Sequence, residues 1–414
     1  MLYFVVRNYL KRAVLGSQRS TLFTLYYLTW ETKSSRVTIP QDEWRLRTLQ
    51  LINALIACFI LPVMWMRCYT LATSQEGIDD KITLCLTSLV SFVIPSYLGF
   101  ASVLMKPSGA KKYIACFDAI LHLECALEGF VLIKQHKNHG DKLDSAIKEM
   151  LKSANLFLLT FEYIVPILIL FFALSTSNPF YTMLRAIHNF EAYGPVIPVV
   201  MQVSIGIWAT FGFLFMISTL VICILLVAYS ISCLYVWTMF LVESKSNVSF
   251  KLGGGLGFHS CIKIYKMLRV MTLVEGELIG EFIIPCLHHF SAVAMSTSSV
   301  FLILVEVSDR GGKSVLLITS CIVILIYSTM LEIFAICVNA KIGMLSKTFL
   351  RRLRMENGRD SYRRRILNGM LPNSVCLECL RSVDMIHNGM QMSYFLSYLD
   401  RVTHFTWTLL VAYR

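Results

Sequence analysis

Seven long apolar stretches, separated by shorter polar ones, dominate the chain: 48–72, 81–105, 155–178, 194–242, 281–306, 314–338 and 391–413. Each can cross a bilayer as a helix, which takes about 20 residues. Soluble α/β domains bury apolar runs of roughly 4–8 residues, and that rhythm is absent here. The pattern therefore predicts seven transmembrane helices. The last is the weakest, because Asp400 and Arg401 interrupt it. The fourth is the longest: residues 192–242 make 51 consecutive positions without Asp, Glu, Lys or Arg.

Two helices joined by a tight turn would also fit the fourth stretch, and charge decides between the options. With one helix there and a cytosolic N-terminus, segments 1–47, 106–154, 243–280 and 339–390 face the cytosol and hold 31 of the 38 lysines and arginines. Splitting the stretch would move the last two of those blocks outside, against the positive-inside bias. The outer loops are then only 73–80, 179–193 and 307–313, and none contains a cysteine. The 13 cysteines thus read as free thiols packed as small apolar side chains. A single helix of about 45 residues would be roughly 68 Å long, twice a bilayer core. Its inner half stays apolar (Leu225, Leu226, Val227, Leu234, Val236, Trp237) and must be covered by other cytoplasmic helices. Segment 106–154, with Ile114, Phe117, Ile120 and Leu121 at helical spacing, and segment 258–279 are the candidates. The same surface is expected to hold subunits together, with Leu226 and Trp237 at the contact.

Composition agrees with a membrane protein: 56% hydrophobic and 15% charged residues, with a mean hydropathy of +0.63. A soluble domain carries about a quarter charged residues. The net charge of +12 sits in the expected cytoplasmic loops, where it suits anionic lipid, so no nucleic-acid partner is expected. Residues 1–30 do not read as a signal peptide, because Leu2–Val6 is short and Arg7, Lys11 and Arg12 follow it. No Ser/His/Asp grouping or paired carboxylate forms a catalytic constellation, so no enzyme is expected. Gly253-Gly254-Gly255-Leu256-Gly257 lacks the preceding strand and following Lys-Ser/Thr of a phosphate loop. Cys376 and Cys379 form a lone CxxC. Neither cofactor nor metal is expected. Glu162 and Glu332 fall near the cytoplasmic ends of their helices, where pairing inside the protein is their expected role. His288-His289 reads as structural. Arg351, Arg352, Arg354 and Arg363–Arg365 read as a positive-inside stop that suits anionic lipid.

The tail carries a resemblance. Thr406-Trp407-Thr408-Leu409-Leu410-Val411-Ala412-Tyr413-Arg414 is similar to the Thr-Tyr, apolar run, Gln-Phe ending of the insect-type chemoreceptors, the arthropod gustatory and odorant receptors. Trp407 stands where Tyr is usual and Tyr413 where Gln is common. Gly389, Tyr394-Phe395 and Leu399 resemble the entry to that family's last helix, and Ile264–Arg269 the basic aromatic start of its fifth. The resemblance implies an all-α, polytopic fold of seven transmembrane helices with helices four to seven extended into a cytoplasmic anchor bundle. Residues 1–414 would form one domain, with 1–47 as a cytosolic N-terminal segment. It implies a ligand-gated, nonselective cation channel, a tetramer of like subunits or with a co-receptor. The channel would sit in the plasma membrane among lipids, its N-terminus cytosolic and its C-terminus extracellular. Tastants or odorants would be its ligands, and the divergent tail favours the gustatory branch.

Carried over residue by residue, Leu410 matches a hydrophobic gate and Tyr413 a polar ring just outside it. A ring of leucines dewets a pore, and a small helix rotation would expose Thr406 or Tyr413 instead. Phe171, Phe172, Trp208, Phe211 and Met295 fall in the outer halves of helices three to five, where they would wall an apolar pocket for a small organic ligand. Thr297, within Ser296–Ser299, would supply an orienting hydrogen bond. Two other classes compete. A G-protein-coupled type of receptor would place the 31 basic residues outside and lack its usual outer disulfide. A secondary transporter would show inverted repeats or charges at mid-membrane.

Overall fold

The computed structural model describes residues 3–19, 27–31, 36–39, 43–73, 78–132, 148, 152, 155–156, 158–187, 190–244, 257–281, 284–308, 315–357, 359–370, 375 and 391–413. Helix α1 (Tyr3–Arg19) precedes an antiparallel hairpin of β1 (Thr29–Glu31) and β2 (Arg36–Thr38), registered with Thr29 opposite Thr38. Helix α2 (Glu43–Leu55) runs through a π turn (Ile56–Ile60) into α3 (Leu61–Thr73), and α4 (Ile78–Leu104) and α5 (Pro107–Leu132) follow. A second π turn (Thr160–Ile164) leads into α6 (Val165–Leu174). Next come α7 (Pro179–Ile187), α8 (Val196–Ser244), α9 (Phe258–Glu281) and α10 (Ile284–Ser308). Helix α11 (Val315–Glu332) continues through a π turn (Ile333–Val338) into α12 (Asn339–Asn357). The short α13 (Ser361–Asn368) and the last helix α14 (Ser393–Tyr413) complete the order.

Among the described residues, six rods are long and apolar enough to cross a membrane: Glu43–Leu71, Leu86–Leu104, Thr160–Ile187, Val196–Val242, His289–Ser308 and Ile318–Asn357. They fall on the first six predicted stretches, and the chain is a multi-pass α-helical membrane protein. Helix α14 has 21 residues, about 31 Å at 1.5 Å per residue. Its length suits a span, while its polar side chains keep it out of the apolar six. Large apolar side chains such as Phe59, Met66, Ile167 and Val199 point outward from the spans, as lipid-facing positions do.

The fourth stretch is one helix of 49 residues. It is apolar on every side because other helices cover its C-terminal half, while Val199, Val203 and Trp208 of its N-terminal half face outward as lipid-facing positions do. Helices α4 and α6 pack on it, and α1, α5, α9 and α12 also contact it. The Tyr113 hydroxyl on α5 donates to the Ile222 carbonyl at 2.7 Å, fixing the register of that cover. Residues 107–132 and 258–279 thus supply the shield that the patterns of segments 106–154 and 258–279 foretold, while most of 133–154 lies outside the described residues. The expectation for Leu226 and Trp237 needs correction. They are only 2% and 5% exposed within the isolated chain, so they belong to its own core and leave no surface there for a second subunit.

Where α6 meets α8, the backbones come close. A Cβ on Gly206 would stand 2.7 Å from the Ala173 carbonyl oxygen, so only glycine fits. The carbonyls at the end of α6 lack helical partners, which is costly inside a membrane. Asn178 donates to Ala173 O and Gln202 to Leu174 O, both at 2.6 Å. On the other flank Arg12 of α1 grips Glu162 through Nε and Nη2 at 2.8 and 2.6 Å. Glu162 is therefore paired, as its place near a helix end suggested.

Candidate functional site

The last helix rests on α10 and on the π turn after α11. A small apolar cluster of Ala292, Val293 and Tyr398, flanked by Phe395 and Val402, forms the dry part of that contact. Polar groups supply the rest in two tiers. In the first, the Tyr398 and Ser296 hydroxyls lie 2.6 Å apart, and Ser296 reaches Ser328 on α11 at 2.7 Å. In the second, Arg401 Nη1 lies 3.2 Å from His289 Nε2, and His289 Nδ1 lies 3.3 Å from Glu332 Oε2. Each tier joins α14, α10 and α11. Because a guanidinium only donates, Nε2 must accept, which places the imidazole proton on Nδ1 facing the carboxylate.

Helix α14 has two unlike faces. Tyr398, Val402 and Thr406 recur every fourth residue and turn toward the body of the chain, and with 3.6 residues per turn the same step brings Leu410 to the edge of that face. Thr406 is 6% exposed and its hydroxyl bonds the Val402 carbonyl at 2.7 Å. Leu410 is half-buried, and Tyr413 ends the helix. The opposite face carries Ser397, Asp400, His404 and Thr408, all exposed, at spacings of three and four that align them. In the sequence, Asp400 and Arg401 stand out only as interruptions of a span. Their opposed roles, one on the free face and one in the second tier, were legible from helical spacing once the helix was placed. The part played by Tyr398 had no sequence signal.

The six candidate pocket residues divide between two regions. Phe171, Phe172, Trp208 and Phe211 lie on the paired helices α6 and α8. Phe171 and Trp208 are 51% and 56% exposed and point away from the chain, Phe171 against Phe172 and Trp208 against Phe180, in edge contacts at 5.9 Å. Met295 and Thr297 lie on α10, which packs on α4, α11 and α14. Thr297 is buried, and its hydroxyl has no hydrogen-bond partner among the described residues.

A second polar centre lies where α5, α8 and α9 meet. Glu124 and Glu275 are fully buried there, and the Tyr229 hydroxyl donates to the Glu124 carboxylate. Desolvation pushes the Glu275 carboxyl well above the usual carboxylate range, and the Ser230 hydroxyl pulls it partly back. Among the described residues, no group of three or more His, Cys, Asp or Glu is placed to hold a metal. Asn247, Gly253–Leu256, Cys376, Cys379 and Gly389 lie outside the described residues.

These features define a class: an all-α membrane protein built on one very long central helix, with a peripheral last helix held by polar contacts. No family model matches the sequence, and no curated protein matches it by sequence. By structure, the chain is similar to the insect olfactory receptor OR5 of Machilis hrabei in complex with eugenol, at TM-score 0.52 and 10% identity, over 99% of both chains. A second structure of that receptor aligns at TM-score 0.49 and 11% identity, again over 99% of both chains. The chain has the insect olfactory receptor fold, the one its tail and topology resembled.

Proposed function

We propose that the chain is a subunit of a ligand-gated, nonselective cation channel for small organic molecules, an insect-type gustatory or odorant receptor. The exposed polar stripe of α14 carries this reading. Ser397, Asp400, His404 and Thr408 lie on a helix of membrane length, yet all four are exposed and their face meets nothing else among the described residues. A carboxylate or imidazole facing lipid is costly, and such groups in spans face water or partners. A water path walled by the last helices of four subunits satisfies them, with Asp400 drawing cations and Leu410 near the rim as the constriction. Thr406, buried here, is the residue that a rotation of the helix would bring into the path.

Other observations support the same reading. The positive-inside count favours a cytosolic N-terminus and an extracellular C-terminus in the plasma membrane. The similar receptor of Machilis hrabei has been solved with eugenol, which favours a small organic ligand here. The unpartnered Thr297 hydroxyl would orient it, and Met295 would wall the same pocket. Phe171 and Trp208, facing outward, suit lipid or a neighbouring subunit better than a pocket within one chain. The divergent tail favours taste over smell.

Whole-cell recording tests the channel reading. Leu410→Ser keeps the constriction wet and should give a standing cation current without ligand, whereas Leu410→Phe should suppress current. Basal current in Leu410→Ser equal to wild type, at equal surface expression, would remove the last helix from the pore.

A further inference from the structure

We propose that Arg401 and His289 form a latch that positions the last helix against α10 and α11, and that proton uptake by the His289 imidazole opens it. The latch itself is a matter of packing; only its effect on current rests on the channel reading above.

The geometry sets the chemistry. His289 stands between a cation and an anion on two different helices, 3.2 Å from Arg401 Nη1 and 3.3 Å from Glu332 Oε2. Its side chain is 18% exposed and that of Glu332 only 1%. The neutral ring satisfies both neighbours, accepting from Arg401 at Nε2 and donating to Glu332 from Nδ1. A proton added at Nε2 replaces the acceptor by a donor and sets an imidazolium against the guanidinium. The bond to Arg401 is then lost, while the bond to Glu332 gains charge on both sides. Protonation therefore moves His289 from a bridge between α14 and α11 to a partner of Glu332 alone.

Among the described residues, the other groups near His289 do not oppose that outcome. From the stretch that follows α11, Cys337 lies within reach of the Glu332 charge. From α14, Tyr398 sits with its ring 6.1 Å from the imidazole, its hydroxyl taken by Ser296. From α4, Phe92 packs on Phe290 and Ser96 meets Ser291 at 3.0 Å. Residues 86–104 carry no charge, and their titratable Tyr97 is bonded to Tyr27. Apart from this latch, α14 is held on α10 by the Tyr398–Ser296 bond and the small apolar cluster. Together with the contact on the π turn after α11, these are the described contacts that fix α14, and the latch is one of the few polar ones among them.

Hydrogen exchange of the purified full-length protein in lipid nanodiscs tests the latch without agonist or current. Exchange of segment 393–402 is read at pH 8 and pH 5, each referenced to the same peptide unstructured. Wild type should lose roughly tenfold in protection at pH 5, equivalent to about 1.4 kcal/mol. His289→Gln should stay protected at both, because its amide oxygen still accepts from Arg401 and its NH2 still donates to Glu332, without titrating. Arg401→Met should be unprotected at both. Glu332 is present throughout, so insensitivity of the Gln variant assigns the proton to His289. Equal wild-type protection at the two pH values, a pH response retained by His289→Gln, or full protection in Arg401→Met at pH 8 would each overturn the proposal. Silence of every variant in patch recordings would count against the channel reading and leave the exchange result standing.

Discussion

Glu275 is placed where a carboxylate is least welcome, fully buried on α9 with its proton held tightly by desolvation. An unfolded glutamate ionises near pH 4.3. Above that pH the folded chain retains a proton that the unfolded chain releases, so stability falls as pH rises, until the buried group ionises as well. Removing the titration removes the slope. Glu275→Gln should raise the melting temperature at pH 8 by about 2–4 °C, the scale of a 1 kcal/mol gain. The gap should close as the pH approaches 4.5, and differential scanning fluorimetry across that range reads it. A gap constant with pH would mean that the substitution acts through packing. The latch at His289 differs in kind, because both of its neighbours are charged and it can change partners.

At the scale of elements, α8 organises the molecule, and its burial changes what a mutation there should do. Trp237 is 5% exposed, in edge contact with Phe240 at 5.9 Å. An unpaired carboxylate at that place is strongly destabilising. Trp237→Asp should therefore lower the melting temperature of the chain itself and give aggregated protein on size exclusion. A well-folded protein of reduced oligomeric size would return the residue to a subunit interface. The length of α8, the six apolar rods and the cover by α5 and α9 were all legible, because runs and spacing report them directly. The π turns at Ile56–Ile60, Thr160–Ile164 and Ile333–Val338 were not. They adjust helix register to tertiary fit, and no residue type announces them. The face of a span was equally hidden at Phe171 and Trp208, since lipid and core are alike apolar and hydropathy cannot separate them. The latch escaped because its partners lie 112 and 43 residues apart in sequence. Polar positions on α14 did hold information: the spacing of Ser397, Asp400, His404 and Thr408 marks one face, opposite Thr406.

The whole molecule poses the question of orientation, and the channel reading depends on it. Basic residues cluster in segments 1–47, 106–154, 243–280 and 339–390, and an even or odd number of crossings at α8 decides whether all four share a side. The structure makes α8 one continuous helix, so a single crossing there leaves the four blocks together. In the proposed topology the positive-inside bias assigns them to the cytosol. This arrangement places Asn247-Val248-Ser249, just after α8, on the cytosolic side, although it has the form of a glycosylation acceptor. Glycosyl transfer occurs in the lumen, so this asparagine should stay bare. Protein expressed in insect cells should show no mobility change on glycosidase treatment, and an epitope fused to its N-terminus should bind antibody only after permeabilisation. The opposite arrangement would expose both the epitope and the sequon. A mobility shift abolished by Asn247→Gln would place segment 243–257 outside, invert every span, and turn the basic blocks to the lumen. The four-subunit pore would then lose its orientation, and the G-protein-coupled class would return as the better account of seven helices.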